Sequence, residues 1–490
     1  MTQAVVMSWT IVGVEAIPVE VQADVSSGLP GFSIVGLGDA AVLEARERVR
    51  AAIRAAGFEF PNARVTVNLA PAPLRKHGTG FDLPIALALL VSTRQVPSSV
   101  SEASAVGELS LDGSVRGVPG LLAEALAGAG GGRPLLLPRE SLGVVRAVPG
   151  LSARPVGRLG ELRGGLPEAA ASLEVPRSGA TVPDLSEVHG QPAAKRALEL
   201  AAIGGLNLIL VGPPGAGKTM LARRLPGILP ALTDAERLET AVVHSVAGAD
   251  VEPVLAGVRP FRAPHHTSSS AGLVGGGSPP RPGEASLAHH GVLFLDEIAE
   301  FAPAALQALR QPLEDGSLTL VRAEGRITYP ARFALIAAMN PCPCGFLGDR
   351  QRACTCSPAA LERYRARLGG PLVDRMDMTL RIDRVPPASL LKAADEECSD
   401  AVRVRVETAR SFAMRRGGVS RELSGAALLR ACRLDARTKG VVEQVARAHR
   451  LSGRGVTRLL RVARTIADRA CAVRVDDEHV LEAACYRVLQ

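Results

Sequence analysis

Hydrophobic and polar positions in the first 170 residues follow two different periods. Residues 11–25 alternate with period two and are rich in Val, which predicts a strand. Residues 39–56 place Val42, Ala45, Val49, Ile53 and Ala56 on one side of a helix. Residues 64–69 and 135–138 read as further strands, and the apolar run 83–91 as a buried helix. Periodicity is lost between Glu174 and Pro183, where Pro, Ser, Gly and Thr collect, so a linker is expected over 173–185. Beyond it, residues 187–202 have helical spacing, and the apolar strand 206–211 runs directly into a glycine-rich loop. Strand and helix patterns then alternate to about Asp383, the signature of a parallel sheet wrapped by helices. From about Pro387 the spacing is helical only, and no repeat of fixed period is visible. The expected class is α/β, with an α+β domain over 1–172, a parallel-sheet domain over 186–385 and a helical domain over 386–490.

Composition adds two things. Aromatic residues make up only 3% of the chain, so its cores must be built from Ala, Val and Leu. The net charge of +8 is distributed unevenly. Residues 401–490 hold 19 Arg and Lys against 9 Asp and Glu, a net of +10, which leaves the other 400 residues at −2. The helical region is therefore either a polyanion-facing surface or a solvated Arg-rich face. No run approaches the ~18 apolar residues that span a bilayer, and residues 1–10 have no basic leader. The eight Cys lack a secreted disulfide pattern, so a cytoplasmic protein with no membrane partner is expected.

The glycine-rich loop is Gly212-Pro213-Pro214-Gly215-Ala216-Gly217-Lys218-Thr219, a P-loop between a strand and a helix. Its glycines let backbone N–H groups face phosphate oxygens. Lys218 is placed to reach the β- and γ-phosphates of ATP, and the Thr219 hydroxyl to ligate Mg²⁺. A second apolar strand, 292–295, ends on Asp296 and Glu297. Asp296 is expected in the Mg²⁺ shell and Glu297 beside the attacking water. A third, 333–339, ends on Asn340, at the carboxyl edge where a parallel sheet meets its ligand, although an Asn before Pro341 also suits a plain turn.

These motifs, with Phe261-Arg262-Ala263-Pro264-His265-His266-Thr267, residues 282–297 and Asn340-Pro341-Cys342-Pro343-Cys344-Gly345, resemble the ComM/YifB family of magnesium-chelatase-like AAA+ ATPases over essentially the whole chain. The resemblance implies an AAA+ core, a helical C-terminal lid and an N-terminal Lon-protease-like domain. It also implies a homo-hexameric ring that moves on branched or single-stranded DNA and promotes branch migration, notably in natural transformation. By position Asn340 resembles the sensor 1 residue, Arg375 the arginine finger that reaches a neighbour's γ-phosphate, and Arg454 the lid's sensor 2 arginine, with Arg458 one turn away. Arg454, Arg458 and Arg461 lie opposite the apolar face formed by Val456, Leu459, Leu460, Ala463, Ile466 and Ala467. Residues 318–330, with a turn at Glu324-Gly325, resemble a pore hairpin on which Arg322 and Arg326 would meet DNA phosphates. Residues 259–289 resemble the family's second pore insert.

Cys342-x-Cys344 and Cys354-x-Cys356 form two pairs nine residues apart. Four thiolates suit tetrahedral Zn²⁺, although the usual spacer is two residues, and reduced or redox-labile thiols remain the alternative. Adjacent His265 and His266 diverge too much to share a metal and are read as a loop contact to nucleotide or DNA. In the Lon-like region, the nucleophile motif aligns with Gly80-Phe81-Asp82-Leu83-Pro84 and the base with Leu122, so no Ser–Lys dyad is present and proteolysis is not expected. The principal rival is a chelatase-type motor that remodels a protein partner for metal insertion.

Overall fold

The Val-rich alternation at the start of the chain is a hairpin rather than one strand: β1 (Thr2–Val12) and β2 (Glu15–Ser26) pair antiparallel along their whole length. The turn falls at Gly13, whose φ of +69° is cheap only for glycine, and a period-two pattern continues unbroken through so tight a reversal. The protein is described here by a computed structural model covering residues 2–170, 182–322, 325–349, 351–367, 370–386 and 396–487. β3 (Gly31–Val35), α1 (Ala40–Ala55), β4 (Arg64–Ala70) and α2 (Asp82–Ser92) follow. The α1 helix begins where Asp39 accepts from the Val42 N–H at 2.9 Å, and it buries Val42, Ala45, Val49, Ala52 and Ile53. β5 (Ser104–Ala105), α3 (Leu121–Gly130), β6 (Leu135–Pro138) and β7 (Ala153–Val156) complete a mixed seven-stranded sheet, ordered β3-β4-β2-β1-β5-β6-β7.

Asp82 of α2 is buried against Arg48 at 2.7 Å, and Leu122 of α3 is fully buried. Neither position offers the Ser nucleophile or the Lys base of a Ser–Lys dyad. Residues 171–181 of the expected linker lie outside the described residues. Its end does not: Leu185 is buried, and its N–H donates to Ser399 Oγ at 2.8 Å.

The next helix, α4, runs Pro192–Gly204 and so starts five residues later than the spacing predicted. Pro192 occupies the first turn, where its missing N–H costs nothing, and Gln191 before it sits outside the right-handed helical region at φ +56°. A five-stranded parallel sheet follows: β8 (Leu208–Val211), β9 (Phe261–Arg262), β10 (Val292–Leu295), β13 (Ala334–Met339) and β14 (Met378–Arg381). Its order is β9-β10-β13-β8-β14, with the P-loop strand β8 between the last two strands in sequence, which fits an AAA+-like domain. The hairpin β11 (Ser317–Arg322) and β12 (Gly325–Pro330) precedes β13. Arg326 on it is exposed; the Arg322 side chain and Glu324 lie outside the described residues.

Helix α6 (Asp234–Ala247), which follows the short P-loop helix α5 (Lys218–Ala222), joins the two sheets. Leu232, Ala241 and Val242 share one apolar cluster with Trp9, Leu121, Leu122 and Ala125. The Gly120 N–H also donates to the Ser245 carbonyl at 2.9 Å.

The C-terminal part is helical, as the spacing predicted: α7 (Ser399–Arg416), α8 (Gly425–Cys432), α9 (Ala436–Ala448), α10 (Gly453–Arg469) and α11 (Asp477–Cys485). Part of its positive charge is held in ion pairs. Arg464 is fully buried 3.0 Å from Asp468, which Arg416 also binds, and Arg405 and Arg469 converge on Glu199 of α4. Among the described residues no helix is long and apolar enough to cross a membrane.

Candidate functional site

Three parallel strands bring the P-loop, the acidic pair and Asn340 to one edge of the sheet. β8 ends at Val211, β10 at Leu295 and β13 at Met339, and each hands its next residue to the carboxyl edge. Gly215 and Gly217 adopt φ of +79° and +86°, which turns successive N–H groups toward one side without side chains in the way. Lys218 Nζ donates to the carbonyls of Gly212 (2.6 Å) and Pro213 (3.0 Å) and to Asn340 Oδ1 (3.1 Å). Burial holds its pKa below the usual lysine value, opposed by the charges of Asp296 and Glu297. Thr219 Oγ1 donates to Asp296 Oδ2 at 2.7 Å, and the other Asp296 oxygen accepts from the Glu297 N–H at 3.0 Å. A hydroxyl paired with a carboxylate, beside an open phosphate cradle, is a donor set that fits Mg²⁺ with a nucleotide.

Glu297 is exposed and sits at φ +50°. His266 Nδ1 lies 3.8 Å from its carboxylate, a pairing not foreseen from the sequence, where the PHHT segment was read as a contact to nucleotide or DNA. Phe261 and Arg262 of β9 pair with Val292 and Leu293 of β10, which brings the loops carrying His266 and Glu297 out at the same edge.

Arg375 and Arg454 are brought to a different place. Both line a cavity of about 750 Å³ with Arg259, Arg421, Arg458 and Arg461. Its walls include Asn207, Gly291, Ala334 and Asp377, the residues at the amino ends of β8, β10, β13 and β14, and none of residues 212–219, 296–297 or 340. The arginine cavity and the P-loop thus lie at opposite ends of one sheet. Arg375 pairs with Glu314, and Arg458 is buried 3.9 Å from Asp374. The face of α10 that carries Arg454, Arg458 and Arg461 therefore lines a cavity, with only Arg454 well exposed.

The four clustered cysteines also meet: their sulfurs all lie within 4.8 Å of one another. Backbone N–H groups of Phe346 and Thr355 hold the Cys344 thiol down to about 5. Glu239, His289 and His290 form a second group with the same convergence. There, His289 Nδ1 accepts from the Arg332 N–H at 3.0 Å, which leaves the ring proton on Nε2, 3.2 Å from Glu239. His290 Nε2 meets Glu239 at 2.9 Å, whereas His289 Nε2 makes no hydrogen bond.

Relatives of known name share this chain from end to end. It is 43% identical over 498 residues to the YifB protein of Salmonella typhimurium, covering 100% of this chain and 98% of that one. It is 40% identical over 502 residues, with the same coverage, to the competence protein ComM of Haemophilus influenzae. The chain belongs to the ComM/YifB family of magnesium-chelatase-like proteins. Family profiles agree in three blocks: "Subunit ChlI of Mg-chelatase" over residues 21–141, "Magnesium chelatase, subunit ChlI" over 184–390 and "Magnesium chelatase, subunit ChlI C-terminal" over 396–487. A magnesium-chelatase 67 kDa subunit of Chlorobaculum parvum is 27% identical over 162 residues, or 32% of this chain. In this ComM/YifB member the first block covers the middle of the seven-stranded sheet and leaves β1 and β7 outside it, the second block holds the parallel sheet and the third the helices.

Proposed function

We propose that this chain is an ATPase whose hydrolysis drives movement on DNA, as a hexameric ring that acts on branched recombination intermediates. The observation that carries the ATPase reading is the convergence of Lys218, Thr219, Asp296, Glu297 and Asn340 on one sheet edge. In this reading the P-loop N–H groups and Lys218 hold the β- and γ-phosphates. Mg²⁺, when bound beside Thr219 and Asp296, supplies charge neutralisation to the phosphate oxygens. Glu297 orients water toward the γ-phosphorus, and His266 orients Glu297. Asn340 links the phosphate end to β13 through Lys218.

The ring reading rests on what a single chain lacks. Arg375 and Arg454 lie at the amino edge of the sheet, away from their own P-loop, and fit a phosphate presented by a neighbour. Support for DNA comes from three features. These are the ComM name of a full-length relative, the exposed hairpin bearing Arg326, and the net +10 of residues 401–490, part of which is spent on internal pairs.

The test is ATP turnover with and without a four-way DNA junction. Turnover should rise with the junction, and the junction should resolve only with hydrolysable ATP. Binding should weaken steeply with salt and depend little on sequence, because each neutralised phosphate releases counterion. Assembled protein that hydrolyses ATP but neither binds junctions at low salt nor responds to them would reject DNA and favour the chelatase-type motor.

A further inference from the structure

The stretch between Met339 and Pro358 contains no strand or helix among its described residues, yet it carries Asn340 at one end and all four clustered cysteines. A connection this long without regular structure needs something else to hold it. Three measured Sγ–Sγ distances are 3.4 Å (Cys342–Cys344), 3.7 Å (Cys342–Cys354) and 3.6 Å (Cys344–Cys354). A tetrahedron of sulfurs around Zn²⁺ at ~2.3 Å per bond has edges of about 3.8 Å. Disulfide sulfurs stand at about 2.05 Å, far closer than these. Four sulfurs within 4.8 Å enclose room for one ion and not for a multi-iron cluster.

Amide groups are aimed at the sulfurs as well. Leu347 N–H donates to Cys342 (3.3 Å), Cys344 N–H to Cys356 (3.4 Å) and Cys356 N–H to Cys354 (3.5 Å). Such bonds spread the negative charge of metal-bound thiolates.

The same loop rests on the P-loop. Gly345, at φ +84°, comes so close that a Cβ there would lie 2.7 Å from Pro214 Cδ and 3.9 Å from Asn340 Cγ. Arg384 donates to the Pro214 carbonyl at 3.2 Å and stands 5.6 Å from the centre of the Phe346 ring. Tyr364 donates to the Asn340 carbonyl at 3.1 Å. A bond network at the sulfurs is therefore transmitted within two residues to Asn340 and across one van der Waals contact to Pro214.

We propose that Cys342, Cys344, Cys354 and Cys356 bind one Zn²⁺ as a closed four-thiolate site, and that this site clamps the Asn340 loop against the P-loop. The clamp half of the proposal rests on the ATPase reading above. The cysteines are positioning residues: they lie outside the P-loop and the acidic pair and act through Asn340.

The full chain, purified under reducing conditions without chelator, should carry about one zinc per chain, as four-ligand structural sites do. Exchange for Co²⁺ should produce thiolate-to-cobalt charge-transfer bands, which Cys354→Ser with Cys356→Ser abolishes. Stripping the metal should speed amide exchange over residues 340–347. It should also lower kcat on the order of 100-fold, the cost of displacing a group near the reacting atoms by about 1 Å, while ATP affinity holds. Absence of zinc together with absence of a cobalt spectrum in the intact chain overturns the metal site, whether or not the double variant folds. Bound zinc whose removal leaves both exchange and kcat unchanged overturns the clamp. Zinc present, exchange responsive and no ATP turnover in any condition supports the metal clamp and rejects the ATPase reading instead.

Discussion

In the proposed mechanism Glu297 carries the heaviest chemical demand of any single side chain in the site. Its carboxylate is exposed, follows a fully buried strand and has His266 at 3.8 Å. Replacing it by Gln preserves shape but turns one acceptor oxygen into a donor and removes the charge that, in the proposed mechanism, draws a proton from water. Glu297→Gln is expected to bind ATP and to lose turnover on the order of 100-fold or more. Equilibrium nucleotide binding and phosphate release measure the two quantities separately, and wild-type turnover in the variant sinks the assignment. Adding His266→Ala should cost less than the sum of the single losses if, as proposed, both residues act on one water. Glu297 was legible in the sequence as one of two acids ending an apolar strand. His266 was not, because β9 is only two residues long and the segment after it has no periodicity.

Among the elements, α3 is buried on nearly every side, between the first sheet and α6. It encloses Glu124, which is 4% exposed and has one carboxyl oxygen with no hydrogen-bond partner. Burial pushes that carboxyl from its ordinary value near 4.5 up to about 8. The folded chain therefore holds one proton more than the unfolded chain between those values, and stability falls as pH rises through that window. The loss reaches about 3–5 kcal/mol if the whole shift is realised, at 1.36 kcal/mol per unit. Glu124→Gln should flatten this slope and raise the urea midpoint over wild type at pH 8.5 more than at pH 5. Parallel curves for the two proteins would show that Glu124 is not the group responsible. Helix α1 was readable because one face is apolar throughout, and α2 and β13 because they are continuous apolar runs. The Gly13 turn and the start of α4 at Pro192 were harder, since each is decided by one residue's backbone preference rather than by a pattern.

Taken whole, the molecule separates the P-loop from the arginine cavity by the length of its parallel strands. Two defective chains should then repair one another. In mixtures of Lys218→Ala and Arg375→Ala subunits, some contacts join an intact P-loop to an intact arginine, and activity should recover to a fraction set by the mixing ratio. Loss of an arginine finger costs on the order of 10³-fold in rate, so even modest recovery stands far above either parent. Well-assembled mixtures with no recovery would place Arg375 in its own subunit's chemistry or outside it altogether.

The same separation gives each subunit a front and a back. Contacts between unlike faces propagate head to tail, and they close on themselves only if the rotation per subunit divides a full turn. In the proposed hexamer a closed ring has as many complete sites as subunits. A ring opened at one seam to admit a DNA strand leaves one P-loop without arginines and one arginine cavity without phosphate. Threading onto an uninterrupted duplex would idle one site in six until the seam shuts, which makes resealing itself a step that nucleotide can report.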